Sequence, residues 1–246
     1  MSKIIFCNNE ITKIIYSGYT ITKAYACGGE LVYSGSSSGG TSDMPNDLWK
    51  VKFEYENGEK MYIVKGNNTS AQTSDYSNYV SYYENGNIVH NYESYYLNKN
   101  NIVTVTFNKN TTFIGNGFIS GSTSLKNVYV QNCESPTNIG ANAFDYCTAL
   151  TEVLLCNTVQ TIGAESFRHT SSLKDIFIPS SVANINVLAF ANSGLLSVRM
   201  GGTTPPRLGA MVFEDAPLIG IEVPASAVET YKTASGWSNY ASIIHS

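Results

Sequence analysis

Side chains that could do chemistry are few in this sequence and poorly spaced for it. The three histidines, His90, His169 and His245, lie far apart. No His-x-x-x-His or Glu-x-x-His pair would place metal ligands on one helix face. Gly115-Asn116-Gly117 is a glycine pair without the following Lys-Ser/Thr that a phosphate-binding loop needs. No Gly-x-Ser-x-Gly elbow stands between a strand and a helix. Acidic residues form neither a glycosidase pair nor a calcium loop. Five cysteines, Cys7, Cys27, Cys133, Cys147 and Cys156, make an odd number without Cys-x-x-Cys spacing. They are expected to be mostly buried thiols, with a disulfide or a metal site as the alternatives. Cys147, three residues after Phe144, falls where a repeat protein takes a small buried residue. No catalytic residue, metal or cofactor emerges, and the sequence points to binding rather than catalysis.

Composition narrows the class of partner. Hydrophobic residues make up 43% of the 246 and charged residues only 14%, against the usual quarter. Ser, Thr, Asn, Gly and 17 tyrosines take their place. Such a surface suits ordered protein contacts or stacking on sugars, because aromatic rings give area at low entropy cost. A net charge of -4 with only 15 Lys and Arg argues against nucleic acid, whose phosphates require a basic stripe. No run of 18 apolar residues spans a membrane, so no membrane insertion is expected. The apolar run Ile4-Ile5-Phe6-Cys7 is too short for a signal peptide. On that reading the chain is made and kept in a cytoplasm, or leaves it by lysis.

The elements that would present a binding surface repeat. Ile139-Gly140-x-x-Ala143-Phe144 recurs as Ile162-Gly163-x-x-Ser166-Phe167, Ile185-Asn186-x-x-Ala189-Phe190 and Leu208-Gly209-x-x-Val212-Phe213, with successive phenylalanines 23 residues apart. After each Phe come a Leu (Leu150, Leu173, Leu195, Leu218) and an apolar-x-apolar triplet, beginning at Val153, Ile176, Val198 and Ile221. A weaker first copy holds Gly117-Phe118, Leu125 and Val128-Tyr129-Val130, with 26 residues from Phe118 to the next Phe. This period is that of a leucine-rich-repeat solenoid, an extended surface rather than a pocket. In each triplet the outer two side chains face the core and the middle one faces solvent. Stacked turns then line up Tyr129, Leu154, Phe177, Arg199 and Glu222, about 4.8 Å apart. Two large apolar residues and a Tyr facing water are costly unless covered, by a ligand or by a loop of the preceding segment. Arg199 and Glu222 are placed to pair across neighbouring strands.

Upstream, three ten-residue units begin at Lys3, Lys13 and Lys23, each a β-rich run, a turn and a return run. The turns are expected at Asn8-Asn9, Gly18-Tyr19 and Gly28-Gly29. So small a meander buries little alone. Ile4, Ile5, Phe6, Ile14, Ile15, Tyr16 and Tyr25 therefore need a partner, either another subunit or the rest of the chain. The expected organisation is a β-rich anchor at 1–33, a flexible Ser/Gly linker at 34–46, a β cap at 47–108, the solenoid at 109–223 and a helical cap at 224–246. In the first cap, Asn57-Gly58 and Asn85-Gly86 predict two hairpins, and Asn67 to Tyr79 reads as a loop. In the last, Ser226 is the expected N-cap, with Val228, Tyr231 and Ala234 on one helix face.

The Ile-Gly-x-x-Ala-Phe and Leu-x-x-Val phrases and Ile178-Pro179-Ser180-Ser181-Val182-x-x-Ile185 resemble the BspA-like leucine-rich repeat. The ending from Val223-Pro224-Ala225 through Tyr231-Lys232 to Gly236-Trp237-Ser238-x-Tyr240-Ala241 resembles that family's terminal cap. Asn186 departs from the glycine of the pattern, a change tolerated where φ is positive. The resemblance spans roughly residues 102 to 244 and implies a mainly β solenoid with short helices, of a kind found in secreted or cell-surface adhesins. The ten-residue units, the Ser/Gly tether and the 48–65 hairpin are similar to virion proteins of phages infecting gut Bacteroidales, including crAss-like phages. That resemblance implies a virion component assembled in the host cytoplasm and anchored to other virion proteins through its N-terminus. It would be a homo-oligomer that displays the solenoid to a host-surface glycan or protein. A bacterial surface adhesin is the alternative.

Overall fold

The computed structural model describes residues 51–54, 56, 100–109, 111–131 and 133–246 in full, and the backbone alone of further short segments between 10 and 99. The first of these are β1 (Glu10–Ile11), β2 (Ile14–Tyr16), β3 (Tyr19–Ile21), β4 (Ala24–Cys27) and β5 (Glu30–Tyr33). β2 pairs antiparallel with β3, and β4 pairs with both β5 and β1. Ile14, Ile15 and Tyr16 thus form β2, and Tyr25 lies in β4. Tyr19, expected in a turn with Gly18, is instead the first residue of β3 and pairs with Tyr16, while the expected turn residues Gly28-Gly29 lie outside the described residues. Ile4, Ile5, Phe6 and the 34–46 linker lie outside the described residues.

β6 (Trp49–Tyr55) and β7 (Lys60–Val64) form the first expected hairpin, and β9 (Ser81–Glu84) with β10 (Asn87–His90) the second, around Asn85-Gly86. Between them β8 (Ser70–Ala71) is a strand where a loop was expected. It joins a distant sheet, beyond the reach of a reading based on local pattern. β11 (Ile102–Phe107) then pairs antiparallel with β6 on one side and parallel with the first repeat strand on the other. The N-terminal hairpins therefore extend the solenoid sheet edge to edge. Val51 and Phe53 from β6 are fully buried in the same core as the repeats.

Each turn of the solenoid contributes one strand to each of two parallel faces. The first face runs through β11, β13 (Asn127–Val130) and β15 (Glu152–Leu155), and resumes with β17 (Asp175–Ile178), β19 (Ser197–Met200) and β21 (Gly220–Glu222). The second holds β8, β12 (Phe113–Ile114), β14 (Thr137–Ile139), β16 (Val159–Ile162), β18 (Asn184–Ile185) and β20 (Arg207–Leu208). Inward residues of the triplets, such as Val128, Val130, Ile176, Ile178 and Val198, are buried, as are Ile114, Ile139, Ile162 and Ile185 opposite them. The loops closing each turn also bond to the next: Asn142, Phe144 and Tyr146 donate their N–H groups to the carbonyls of Ala164, Ser166 and Arg168. Backbone groups that a lone turn would leave bare are satisfied along this edge too.

Between the faces the phenylalanines stack. Phe144 and Phe167 are 5.1 Å apart between ring centroids, Phe167 and Phe190 5.4 Å, and Phe190 and Phe213 5.7 Å. Phe107, Phe118 and Phe53 continue the spine toward the N-terminal hairpins. Offset ring stacking adds to area burial, so a Phe every turn ties neighbouring repeats together.

The first copy is in a different register from the one the motif suggests. The Ile119 N–H bonds the Ala143 carbonyl as the Phe144 N–H bonds that of Ser166, which makes Ile119 the counterpart of Phe144. Strand partners confirm an interval of 25, Val128 facing Val153. Phe118 is one residue out of step because its ring is drawn into the space above Phe107 and Phe53.

Asn186 does not have a positive φ, contrary to expectation. The motif glycine serves close approach instead: a Cβ on Gly163 would come within 2.5 Å of the Gly140 carbonyl. Left-handed backbone falls two residues before and two after each Phe, at Asn142 and Tyr146, Glu165 and His169, Leu188 and Asn192, and Met211 and Asp215.

After β21 a 3₁₀ turn (Ala225–Ala227) leads into α1 (Val228–Thr233), a second 3₁₀ stretch (Trp237–Ile243) and β22 (Ile244–His245), which pairs parallel with β21. Ser226 is not the N-cap, because the 3₁₀ turn occupies its position and α1 starts from Ala227 without a side-chain cap. Tyr231 and Trp237 are fully buried, donating to the carbonyls of Gly202 (2.9 Å) and Pro206 (2.8 Å). Trp237 and Tyr240 lie against Phe213 and end the aromatic spine.

Candidate functional site

The outward face of the first sheet carries two columns of side chains, fixed by strand register. One runs Glu54, Thr104, Asn127, Glu152 and, beyond the break after β15, Asp175, Ser197 and Gly220. The other runs Lys52, Thr106, Tyr129, Leu154, then Phe177, Arg199, Glu222 and His245. The sheet ladder is interrupted between β15 and β17, which lie side by side without shared register. Leu154 and Phe177 flank that interruption.

This face is closed at one end and open in the middle. Thr104 and Thr106 are buried, Tyr129 is half-buried, and Leu154 and Phe177 are 46% and 38% exposed. Arg199 and Glu222 are exposed beyond them. The Tyr129 hydroxyl donates to Glu152 Oε2 at 2.7 Å. Burial, reinforced by that bond to a carboxylate, pushes the Tyr129 phenol up to about 12, so it stays neutral at physiological pH. Asn127 Nδ2 donates to Thr104 Oγ1 at 3.0 Å, and Lys52 pairs with Glu54 at 2.9 Å. Arg199 does not form the expected ion pair with Glu222. Its guanidinium lies over the Phe177 ring, 5.4 Å from the centroid, where a delocalised cation meets the negative ring face. The result is an outward-facing apolar strip, Tyr129–Leu154–Phe177, that crosses the interruption, with hydrogen-bonding groups along one margin and a cation at one end. Among the described residues no group of three His, Cys, Asp or Glu side chains could hold a metal ion.

Two features of the site's surroundings were not foreseen. Cys133 and Cys156 form a disulfide between consecutive solenoid turns, with Cα atoms 6.2 Å apart. This corrects the expectation of thiols for that pair. Their separation of 23 residues equals the phenylalanine interval, and that coincidence was the available signal. Cys147 fits the expectation, buried and with its sulfur directed at the Ile119 carbonyl. The second feature is a polar and aromatic cluster at the loop edge, around Asp145, Tyr146, Arg168 and His169. It joins residues of two turns that no short motif links.

The model of the BspA type leucine rich repeat region matches residues 78–197 in six copies. Residues 78–197 are similar to that repeat region. The BspA-type match starts within the segment expected to be a cap and stops at the start of β19, beyond which β19–β21 complete the array. Several solved structures are similar to this chain. One is a leucine-rich repeat protein from Bacteroides ovatus, 23% identical, TM-score 0.38, covering 53% of this chain and 39% of that one. Another is the pneumococcal vaccine antigen PcpA, 17% identical, TM-score 0.47, covering 79% and 46%. A third is a leucine-rich cell surface protein from Faecalibacterium prausnitzii, 18% identical, TM-score 0.40, covering 86% and 54%. The chain thus spans between 39% and 54% of the length of these proteins. No curated protein matches it.

Proposed function

We propose that this chain is a non-enzymatic recognition module of the adhesin type, displayed at a bacterial cell surface, whose ligand lies on the Tyr129–Leu154–Phe177 strip. The observation that carries the reading is the exposure of Leu154 on β15 and Phe177 on β17, the neighbouring strands that flank the interruption of the sheet face. Exposed apolar side chains cost solvation free energy in the free protein and return it when covered. Arg199 and Glu222 at one end and Glu152 beside Tyr129 give the strip a polar rim, the layout of a protein or glycan contact. The disulfide supports display outside the cytoplasm, since such bonds persist in oxidising surroundings.

A second reading has its own support. The strands β1–β5 pair only with one another among the described residues and precede a Ser/Gly-rich segment. That is the layout of an anchor, tether and head, as in a phage virion component bound to other virion proteins and assembled as a homo-oligomer. The two readings separate by location. Immunoblotting of surface fractions from uninfected cells detects the chain if it is a cell-surface adhesin. Detection only in purified phage particles would overturn that reading in favour of the virion.

A further inference from the structure

Two residues after each aligned core residue, the backbone is left-handed, and the residues there form a column along the loop edge: Gly121, Tyr146, His169, Asn192 and Asp215. Gly, Asn and Asp adopt this conformation cheaply, and a bulky residue does not. Tyr146 is the costliest choice in the column, at φ 55°, and its side chain is 48% exposed. It is held in place from one side. The His169 ring stacks on it with centroids 3.9 Å apart and planes 17° apart, and Arg168 of the same turn approaches the ring. In the preceding turn the column holds Gly121, so no side chain of the column covers the second face of the ring.

The groups beside that ring are locked together. Arg168 binds the nearly buried Asp145 carboxylate twice, at 3.2 and 2.9 Å, and forms an ion pair with Glu165. His169 Nδ1 lies 3.3 Å from Asp145 Oδ1. The Asn142 amide nitrogen donates to Asp145 and Glu165 at 3.4 and 3.3 Å. Its carbonyl oxygen is left to accept from a ligand. Asn142, like Tyr146, overhangs a glycine: its counterpart one turn earlier is Gly117. An aromatic face and a fixed acceptor thus stand together above a ledge of two glycines.

We infer that this notch is a saccharide-binding subsite, with a neutral pyranose stacked on Tyr146 and a hydroxyl donated to Asn142. A pyranose presents a face of C–H bonds that packs on an aromatic ring and a rim of hydroxyls for fixed polar groups. Two carboxylates against one guanidinium leave the cluster net negative, which disfavours acidic sugars and phosphates. The subsite is separate from the Leu154–Phe177 strip and stands or falls independently of it.

Saturation-transfer NMR on the whole chain tests this with methyl glucoside, methyl mannoside, methyl galactoside and N-acetylglucosamine. N-acetylneuraminic acid and tetramethylammonium serve as acidic and cationic probes. At least one neutral pyranose should receive saturation on its C–H face. Tyr146→Gly and Asn142→Gly suit the left-handed backbone and keep the fold. The first should weaken binding at least about tenfold, Tyr146→Phe should retain it, and Met211→Gly, at an exposed left-handed position outside both proposed sites, should leave it unchanged. Transfer only to the acidic or cationic probe, no transfer at all, or equal transfer with Tyr146→Gly would overturn the assignment.

Discussion

Opening the Cys133–Cys156 bond should cost this chain a large share of its stability. The bond closes a segment of 23 residues. The chain-entropy relation gives a loss of about 11 cal/mol/K for a loop of that length, about 3.4 kcal/mol at 25 °C. For a domain of this size, each kcal/mol moves the midpoint by roughly 2–4 °C, so the expected drop is on the order of 7–14 °C. The assay is thermal unfolding followed by circular dichroism, with and without dithiothreitol, on the wild type and on the Cys133→Ala and Cys156→Ala double variant. Reductant should lower the wild-type midpoint by that amount and leave the double variant unmoved. Alkylation under non-reducing denaturing conditions, read by mass spectrometry, should recover the linked pair of peptides from air-oxidised protein. Recovery of both cysteines as alkylated thiols, or a wild-type midpoint indifferent to reductant, would refute the reasoning.

Met211 has φ 54° and is 51% exposed. A left-handed L-residue costs about 1–2 kcal/mol and glycine's entropy roughly 0.5–1. Met211→Gly should therefore raise stability by about 0.5–1 kcal/mol in urea unfolding, with no gain from Met211→Ala. Phe190 is fully buried between Phe167 and Phe213. Phe190→Ala should cost about 3–5 kcal/mol in the same assay, and a loss under about 1 kcal/mol would contradict the spine's role. Burial pushes the Tyr231 phenol up to about 12. Folding therefore favours its neutral form, a stabilisation complete below about pH 10 and lost as pH rises through 12. Tyr231→Phe should lose stability less steeply than the wild type between those values. At pH 7 it should be weaker by about 1 kcal/mol for the lost bond to Gly202.

What was legible in the sequence was whatever repeats. The 3-residue alternation of Ile176-Phe177-Ile178 is a local rule of strands, so residue type alone marks Ile176 and Ile178 as inward and Phe177 as outward, as they are. The Phe interval reported the stacking distance of turns. What was not legible depended on contacts between turns with no shared motif. Ile119 replaces Phe118 in the ladder because a ring had space to fill beside Phe107, a fact of packing. Arg199 prefers the Phe177 ring to Glu222 because both are within reach of a long side chain, and pairing rules weigh only the charges. β8 is two residues whose partner, β12, lies some forty residues on. The Tyr146–His169 stack joins residues a full turn apart, and reading it required the positions of positive φ, which Tyr and His types do not announce.

The most direct test of the recognition strip is a binding comparison between the wild type and the Leu154→Ser and Phe177→Ser double variant. Both are labelled identically and applied to one array of glycans and fixed bacterial and epithelial cells. Both side chains are exposed, so the unfolding midpoint should barely change. The wild type should bind at least one surface, and the variant should bind it at least about tenfold more weakly. Equal binding by a folded variant, or no binding by the wild type to any surface, would contradict the claim.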